Sequence, residues 1–238
     1  MKARRRWFFF IPVAAIAITA ATCQPTKPPK VNPAPPGVNP CTENPVVING
    51  DECDWLFQRD TSTSTVHEFT TEAASIGAGS VKAGPISANA ADKFIAEYFA
   101  GVPVADLQSV AYDFQIAGDG VVGDAQQFYM NIYANFDDSD DFFPHCRFDV
   151  IPTTGSITDF TTVNFATTDN VPVTPRNSGG PLPTCPATLA EMPDGSHVRA
   201  IALNVGDTSA SDEGLAGFLD NVKVTTTAGT TTFDFEDE

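Results

Sequence analysis

The run from Phe128 to Phe136 alternates with period two, and its two registers differ in kind. Phe128, Met130, Ile132, Ala134 and Phe136 fall on one side, a core stripe. Tyr129, Asn131, Tyr133 and Asn135 fall on the other. That side is large, polar and flat. Phenol rings give an apolar face with a polar tip, and carboxamides both donate and accept hydrogen bonds. Such a ladder suits a ligand with C–H faces to stack and hydroxyls to satisfy, which is the chemistry of a sugar. The same parity along 110–116 turns Val110, Tyr112, Phe114 and Ile116 inward, and so Asp113 and Gln115 toward the Tyr-Asn side. Along 147–150, Phe148 and Val150 turn inward and Arg147 and Asp149 outward. The expected ligand-binding patch is therefore Asp113, Gln115, Tyr129, Asn131, Tyr133, Asn135, Arg147 and Asp149. The alternative is a solvated outer sheet face on which these residues pair across strands.

Reactive chemistry has little to stand on. The three histidines, His67, His145 and His197, are scattered and sit in no catalytic motif. The sequence contains no G-x-S-x-G, H-E-x-x-H or G-x-x-x-x-G-K segment. It also lacks the Glu-x-Asp-x-x-Glu strand of jelly-roll glycosidases, and glycoside hydrolysis needs a paired acid and base or nucleophile. A non-catalytic protein is expected.

The elements that must position the patch read as strands. Short β-rich runs separated by Gly, Asp, Ser and Pro clusters recur about every 10–15 residues, the pattern of an all-β, antiparallel β-sandwich. Strands are expected at 79–86, 107–117, 126–136, 146–152, 197–206, 217–226 and 230–236. Strand 197–206 is apolar on both faces and reads as central, with Arg199 a candidate for pairing with a carboxylate. Residues 88–101 fit a helix through Phe94/Tyr98 and Ile95/Phe99 at i,i+4. As a strand they set Lys93, Ile95, Glu97 and Phe99 on one face. Amid strands, the strand is expected.

The first residues set the compartment. Lys2, Arg4, Arg5 and Arg6 precede an apolar stretch, Trp7 to Ala21, that ends in small residues. Residues 1–22 read as an export signal peptide, too short for a comfortable membrane span. Ala20-Ala21-Thr22-Cys23 resembles a bacterial lipoprotein lipobox, which implies lipidation of Cys23; cleavage near Ala21 is the other route. Arg5-Arg6-Trp7-Phe8-Phe9 resembles a twin-arginine signal. The five cysteines leave an odd thiol, and acylating Cys23 removes it. Cys41, Cys53, Cys146 and Cys185 then allow three pairings, of which Cys41–Cys53 with Cys146–Cys185 is the simplest. No two cysteines lie two to four residues apart, which argues against zinc. Residues 23–45 read as the Cys anchor and a stiff linker, with eight prolines in 24–45. Residues 46–238 form one β-sandwich domain.

Gly217-Phe218-Leu219-Asp220-Asn221-Val222-Lys223-Val224 resembles the closing strand of secreted bacterial jelly-roll modules, such as carbohydrate-binding modules of the family 4/9 type. Leu107 to Phe114 resembles an internal strand of the same modules. The resemblance implies a jelly-roll-like sandwich and a carbohydrate or glycan ligand. Only Trp55 lies outside the signal among the two tryptophans, so stacking falls to tyrosines. In such modules a calcium often pins the ends of the sandwich. Structural Ca²⁺ is thereby implied, with Asp207 and Asp212 on a loop and Asp220 on a strand as ligands suited to a hard cation.

Apolar residues make up 42 %, which is enough for a packed core. The net charge of −17 averages two unlike parts. Residues 1–45 hold six Lys and Arg against one Glu, hence +5; residues 46–238 hold seven against 29 acids, hence −22. The acid excess argues against nucleic acid and anionic membranes as main partners, leaving the membrane reachable only through the N-terminal anchor. Two functions follow as expectations. One is an exported, surface-tethered or extracellular protein that binds glycan. The other is a structural or protein-interaction surface protein, with an envelope or matrix component as its partner.

Overall fold

The computed structural model describes residues 40–59, 66–87, 93–118, 122–137, 144–176, 181–207 and 213–237. Their strands are β1 (Val46–Ile48), β2 (Trp55–Arg59), β3 (His67–Thr70), β4 (Ser80–Ala83), β5 (Phe94–Tyr98), β6 (Val102–Pro103) and β7 (Leu107–Ile116). They continue with β8 (Met130–Asn135), β9 (Cys146–Val150), β10 (Thr161–Ala166), β11 (Val173–Pro175), β12 (His197–Val205), β13 (Gly217–Thr226) and β14 (Gly229–Phe235). Three short 3-10 turns, at Pro40–Thr42, Val122–Gln127 and Leu189–Glu191, are the helical elements among these residues.

The strands form two sheets of seven. In the first, β10 pairs with β7 and β7 with β13; β4 and β14 share the other edge of β13, followed by β3 and β1 respectively. In the second, the order is β11-β9-β8-β12-β5-β2, with β6 continuing beside the start of β12. Every pairing is antiparallel except β1 with β14. The fold is all-β, as expected.

The inward parity of each strand fills the space between the sheets. Trp55, Phe94, Tyr112, Phe114, Phe128, Phe148, Phe165 and Phe235 are fully buried. Trp55 of the second sheet meets Phe233 and Phe235 of the first edge-on, at 5.4 and 5.1 Å between centroids, the favoured geometry for paired rings. Phe114 stacks on Phe128 at 4.9 Å. Gly217 opens β13 because a Cβ there would stand 2.2 Å from the Phe128 ring.

Residues 88–101 yield the strand β5 rather than a helix, with 88–92 outside the described residues. The expected strand 126–136 begins only at Met130, because Val122–Gln127 winds into a 3-10 turn. The Tyr112 hydroxyl donates to the Phe128 carbonyl, tying that turn to the first sheet. Both local disulfides are present, Cys41–Cys53 and Cys146–Cys185. The folded unit reaches back before residue 46. Asn44 donates to the Thr230 carbonyl at 3.0 Å and accepts from the Thr232 N–H at 2.9 Å, so residues 40–45 belong with the strands and not with the linker. The lipidation and signal readings, Cys23 and residues 1–22, lie outside the described residues.

Candidate binding site

The outer face of the second sheet is built in cross-strand rows. Thr174, Arg147, Tyr133 and Ala200 share one row. Asp149, Asn131, Ala202, Glu97 and Leu56 share the next. Asn204 and Ile95 share the third, and the Asn204 N–H donates to the Tyr129 carbonyl beside it at 2.8 Å. Ala200 and Ala202, 3 % and 2 % exposed, form a floor along β12. On either side stand β8 and β5, two strand spacings apart, which is about 9–10 Å. The result is a trough with Tyr129, Asn131 and Tyr133 on one wall and Ile95 and Glu97 on the other.

A closed polar network fixes the first wall. Asn131 donates to Asp149 Oδ1 at 2.7 Å and accepts from Asn204 Nδ2 at 3.1 Å. Arg147 grips both oxygens of Asp149, Nε to Oδ1 at 2.6 Å and Nη2 to Oδ2 at 2.9 Å. The Thr174 hydroxyl accepts from Arg147 and donates to Asp149, each at 3.3 Å. Asn204 Nδ2 is further held by the carbonyls of Tyr129 and Ala202, while its buried Oδ1 has no partner. A guanidinium and a carboxylate joined in this two-point fashion keep both groups rigid.

Burial shapes the titrating groups. It raises both the Tyr129 and the Tyr133 phenol above the usual tyrosine value, so both stay protonated donors. Burial likewise raises the Glu97 carboxyl, against the opposing pull of Arg199 and Lys93. Arg176 stands over the Tyr133 ring at 5.6 Å from its centroid.

Five of the eight expected patch residues, Tyr129, Asn131, Tyr133, Arg147 and Asp149, are brought together on this face. Asn135 shares their parity but lies at its end, 1 % exposed, where its Oδ1 accepts the His145 N–H at 3.1 Å. It closes the turn into β9 and is not a wall of the trough. Asp113 and Gln115 do not belong to the patch: β7 pairs with β10 and β13, in the other sheet. There Asp113 accepts from the Ser75 hydroxyl and from Asn221 Nδ2, and Gln115 donates to the Ile157 carbonyl. Parity assigned their side of a strand correctly, but parity carries no information on which sheet a strand joins.

The three residues expected to hold Ca²⁺ are not assembled by the described structure. Asp220 is fully buried on β13, its oxygens accepting the N–H groups of Ser75, Ile76, Asn221 and Phe235. Asp207 follows β12 in the other sheet, near Tyr129, and Asp212 lies outside the described residues. Among the described residues no three His, Cys, Asp or Glu side chains gather as a metal-binding group.

Sequence reasoning missed Asn204, Thr174, Arg176 and the alanine floor. Glu97 had been given its face by the alternation of 93–99, but nothing in the sequence placed that face beside the Tyr-Asn ladder. Arg199, expected to seek a carboxylate, lies where its charge acts on Glu97.

No family model matches the sequence, and no curated protein matches it. Solved structures with a similar strand arrangement include a family 11 carbohydrate-binding module from Clostridium thermocellum in complex with a β-1,3-1,4-mixed-linked tetrasaccharide. It is 11 % identical with a TM-score of 0.45, over 72 % of this chain and 88 % of that one. Another is the CBM22-1 xylan-binding domain from Paenibacillus barcinonensis Xyn10C. It is 11 % identical with a TM-score of 0.39, over 74 % of this chain and 88 % of that one.

Proposed function

We propose that this protein is an exported, non-catalytic β-sandwich that binds carbohydrate in the trough over β12. The observation that carries the proposal is the pairing of two protonated tyrosines with a floor of buried alanines and amides. The small side chains of the floor keep the sheet low between its larger neighbours. The phenols supply stacking area and donors. A sugar ring, with C–H faces and hydroxyls, complements both. Tethering at the cell surface is supported by the export-type leader, the lipobox-like Cys23 and the proline-rich segment that follows it. Two disulfides suit an oxidising compartment.

The test is a glycan array probed with the full chain and with Tyr129→Ala and Tyr133→Ala. The expected outcome is binding to a defined oligosaccharide class, weakened at least tenfold by either substitution while the thermal midpoint holds. Binding that survives both substitutions places the site elsewhere. An array on which the unaltered protein finds no glycan refutes the function.

A further inference from the structure

Several of the domain's few cations act on the groups that line the trough. Residues 46–238 contain seven Lys and Arg against 29 acids. Four of those seven, Lys93, Arg147, Arg176 and Arg199, are the cations whose charge bears on Glu97, Tyr129 and Tyr133. Among the described residues, the acids bearing on the same three groups, Glu97 itself included, are Glu97, Asp149 and Asp207. Among the described residues, four cations and three acids thus act on these three groups, in a domain with about four acids for each cation. Remote acids count for little there, because their field is screened beyond about 8 Å at physiological salt.

Within that face the cations are not equivalent. Arg147 is committed to Asp149 through two hydrogen bonds. Lys93 and Arg199 flank Glu97. Arg176 is half-buried beside Tyr133 and makes no ion pair among the described residues. A guanidinium at the wall of a binding trough, with its five N–H donors in a planar fork, matches a carboxylate in two-point fashion.

Resting on the carbohydrate reading of the same trough, we propose that the ligand is an acidic glycan: a neutral backbone bearing isolated uronic-acid residues, whose carboxylate meets Arg176. Isolated acids are specified for a physical reason. A densely charged polyanion brings many charges against a domain carrying −22, whereas one carboxylate on a neutral chain meets only the local field.

The experiment presents the full chain with singly acidic oligosaccharides beside twins whose carboxyl has been reduced to a primary alcohol. Polygalacturonate serves as a dense polyanion. The acidic twin is expected to bind about tenfold tighter, the worth of one charge-assisted contact at a partly exposed site. Raising NaCl from 0.1 to about 1 M should shrink that gap. Arg176→Gln should erase the gap, the two twins then binding alike, and Arg176→Lys should keep part of it. Lys223→Gln, the same charge change on the exposed part of β13, should do nothing. Lys93→Gln should also narrow the gap, so the inference stays testable if the Arg176 variant fails to fold. Equal binding of the twins overturns this inference and leaves the carbohydrate reading standing. Binding of neither twin, and of no other glycan, overturns both. Preference for polygalacturonate that is indifferent to Tyr129→Ala reveals ion exchange and overturns the acidic-glycan site.

Discussion

Asp149 is the residue on which the polar wall turns, and replacing it with alanine tests the physics of the site. The change removes four contacts at once: Asn131 at 2.7 Å, Arg147 at 2.6 and 2.9 Å, and Thr174 at 3.3 Å. It strands the Arg147 guanidinium and leaves a buried Asn131 donor unpaired. Stranding one member of a fully buried pair costs about 3–5 kcal/mol. Here the side chains of Arg147 and Asp149 are 29 % and 12 % exposed, so water replaces part of what is lost. A destabilisation of about 2–3 kcal/mol is the expected net. In urea, with a slope of about 2 kcal/mol/M, that lowers the midpoint by about 1 M without altering the slope. A double-mutant cycle of Asp149→Ala with Arg147→Ala should return a coupling of about 1–2 kcal/mol, since the two charges share one network. Replacing both with Arg147→Met and Asp149→Leu should cost less than Asp149→Ala alone, because no charge is then left without a partner. A midpoint that moves by less than about 0.3 M, or additive single effects, would show that the network does not hold the wall.

Two further outcomes follow from groups remote from the trough. In the chain-entropy model the 12-residue separation of Cys41–Cys53 and the 39-residue separation of Cys146–Cys185 are worth roughly 3 and 4 kcal/mol. Cys41→Ser with Cys53→Ser should therefore unfold at lower urea, and trimming the chain to residue 46 should match or exceed that loss, because Asn44 goes too; equal midpoints would refute the placement of residues 40–45. Asp234 has a buried Oδ1 without a partner, and burial, Asp220 and Glu236 push its carboxyl up from 3.8 to about 6. The folded state thus binds this proton more tightly than the unfolded chain, so its contribution is fully present below about pH 4 and fades as pH rises through about 6. Melting scans from pH 4 to 7.5 should show a shallower decline for Asp234→Asn than for the unaltered protein, and parallel curves would remove the assignment.

The strands were legible where both faces are chemically distinct or where the apolar run is long. Gly217–Thr226 and Leu107–Ile116 carry alternating bulky residues that no other element accommodates. The same holds for the wall itself: Tyr129, Asn131 and Tyr133 were assigned a face, and the face is real. What escaped were short or polar pieces such as Val46–Ile48, Thr161–Ala166 and Val173–Pro175, whose pairing comes from neighbours distant in the chain. Sheet membership escaped for a deeper reason. Asp113 and Asp149 have identical parity relative to their core neighbours, yet one faces out from β7 and the other from β9, on opposite layers of the sandwich. Periodicity fixes a residue's side relative to its own strand; only long-range pairing decides which strands share that side.

That pairing also bears on what kind of partner the trough can take. Among the described residues, the large apolar side chains that stand most exposed are Val47, Val66, Ile151, Ile157 and Leu182, and none of them sits in the rows around β12. A surface awaiting another protein or a third layer of structure would concentrate such residues at its centre. At the centre here lie two alanines and two amides. Asn131 and Asn204 are each 1 % exposed. Buried amides of this kind are costly unless bonded, and Asn131 is bonded on both its nitrogen and its oxygen. The unpartnered Asn204 oxygen is itself closed to the surface, a cost the sheet carries internally. An apolar protein segment would find little apolar area to cover at this centre and would gain nothing from amides already bonded within the sheet.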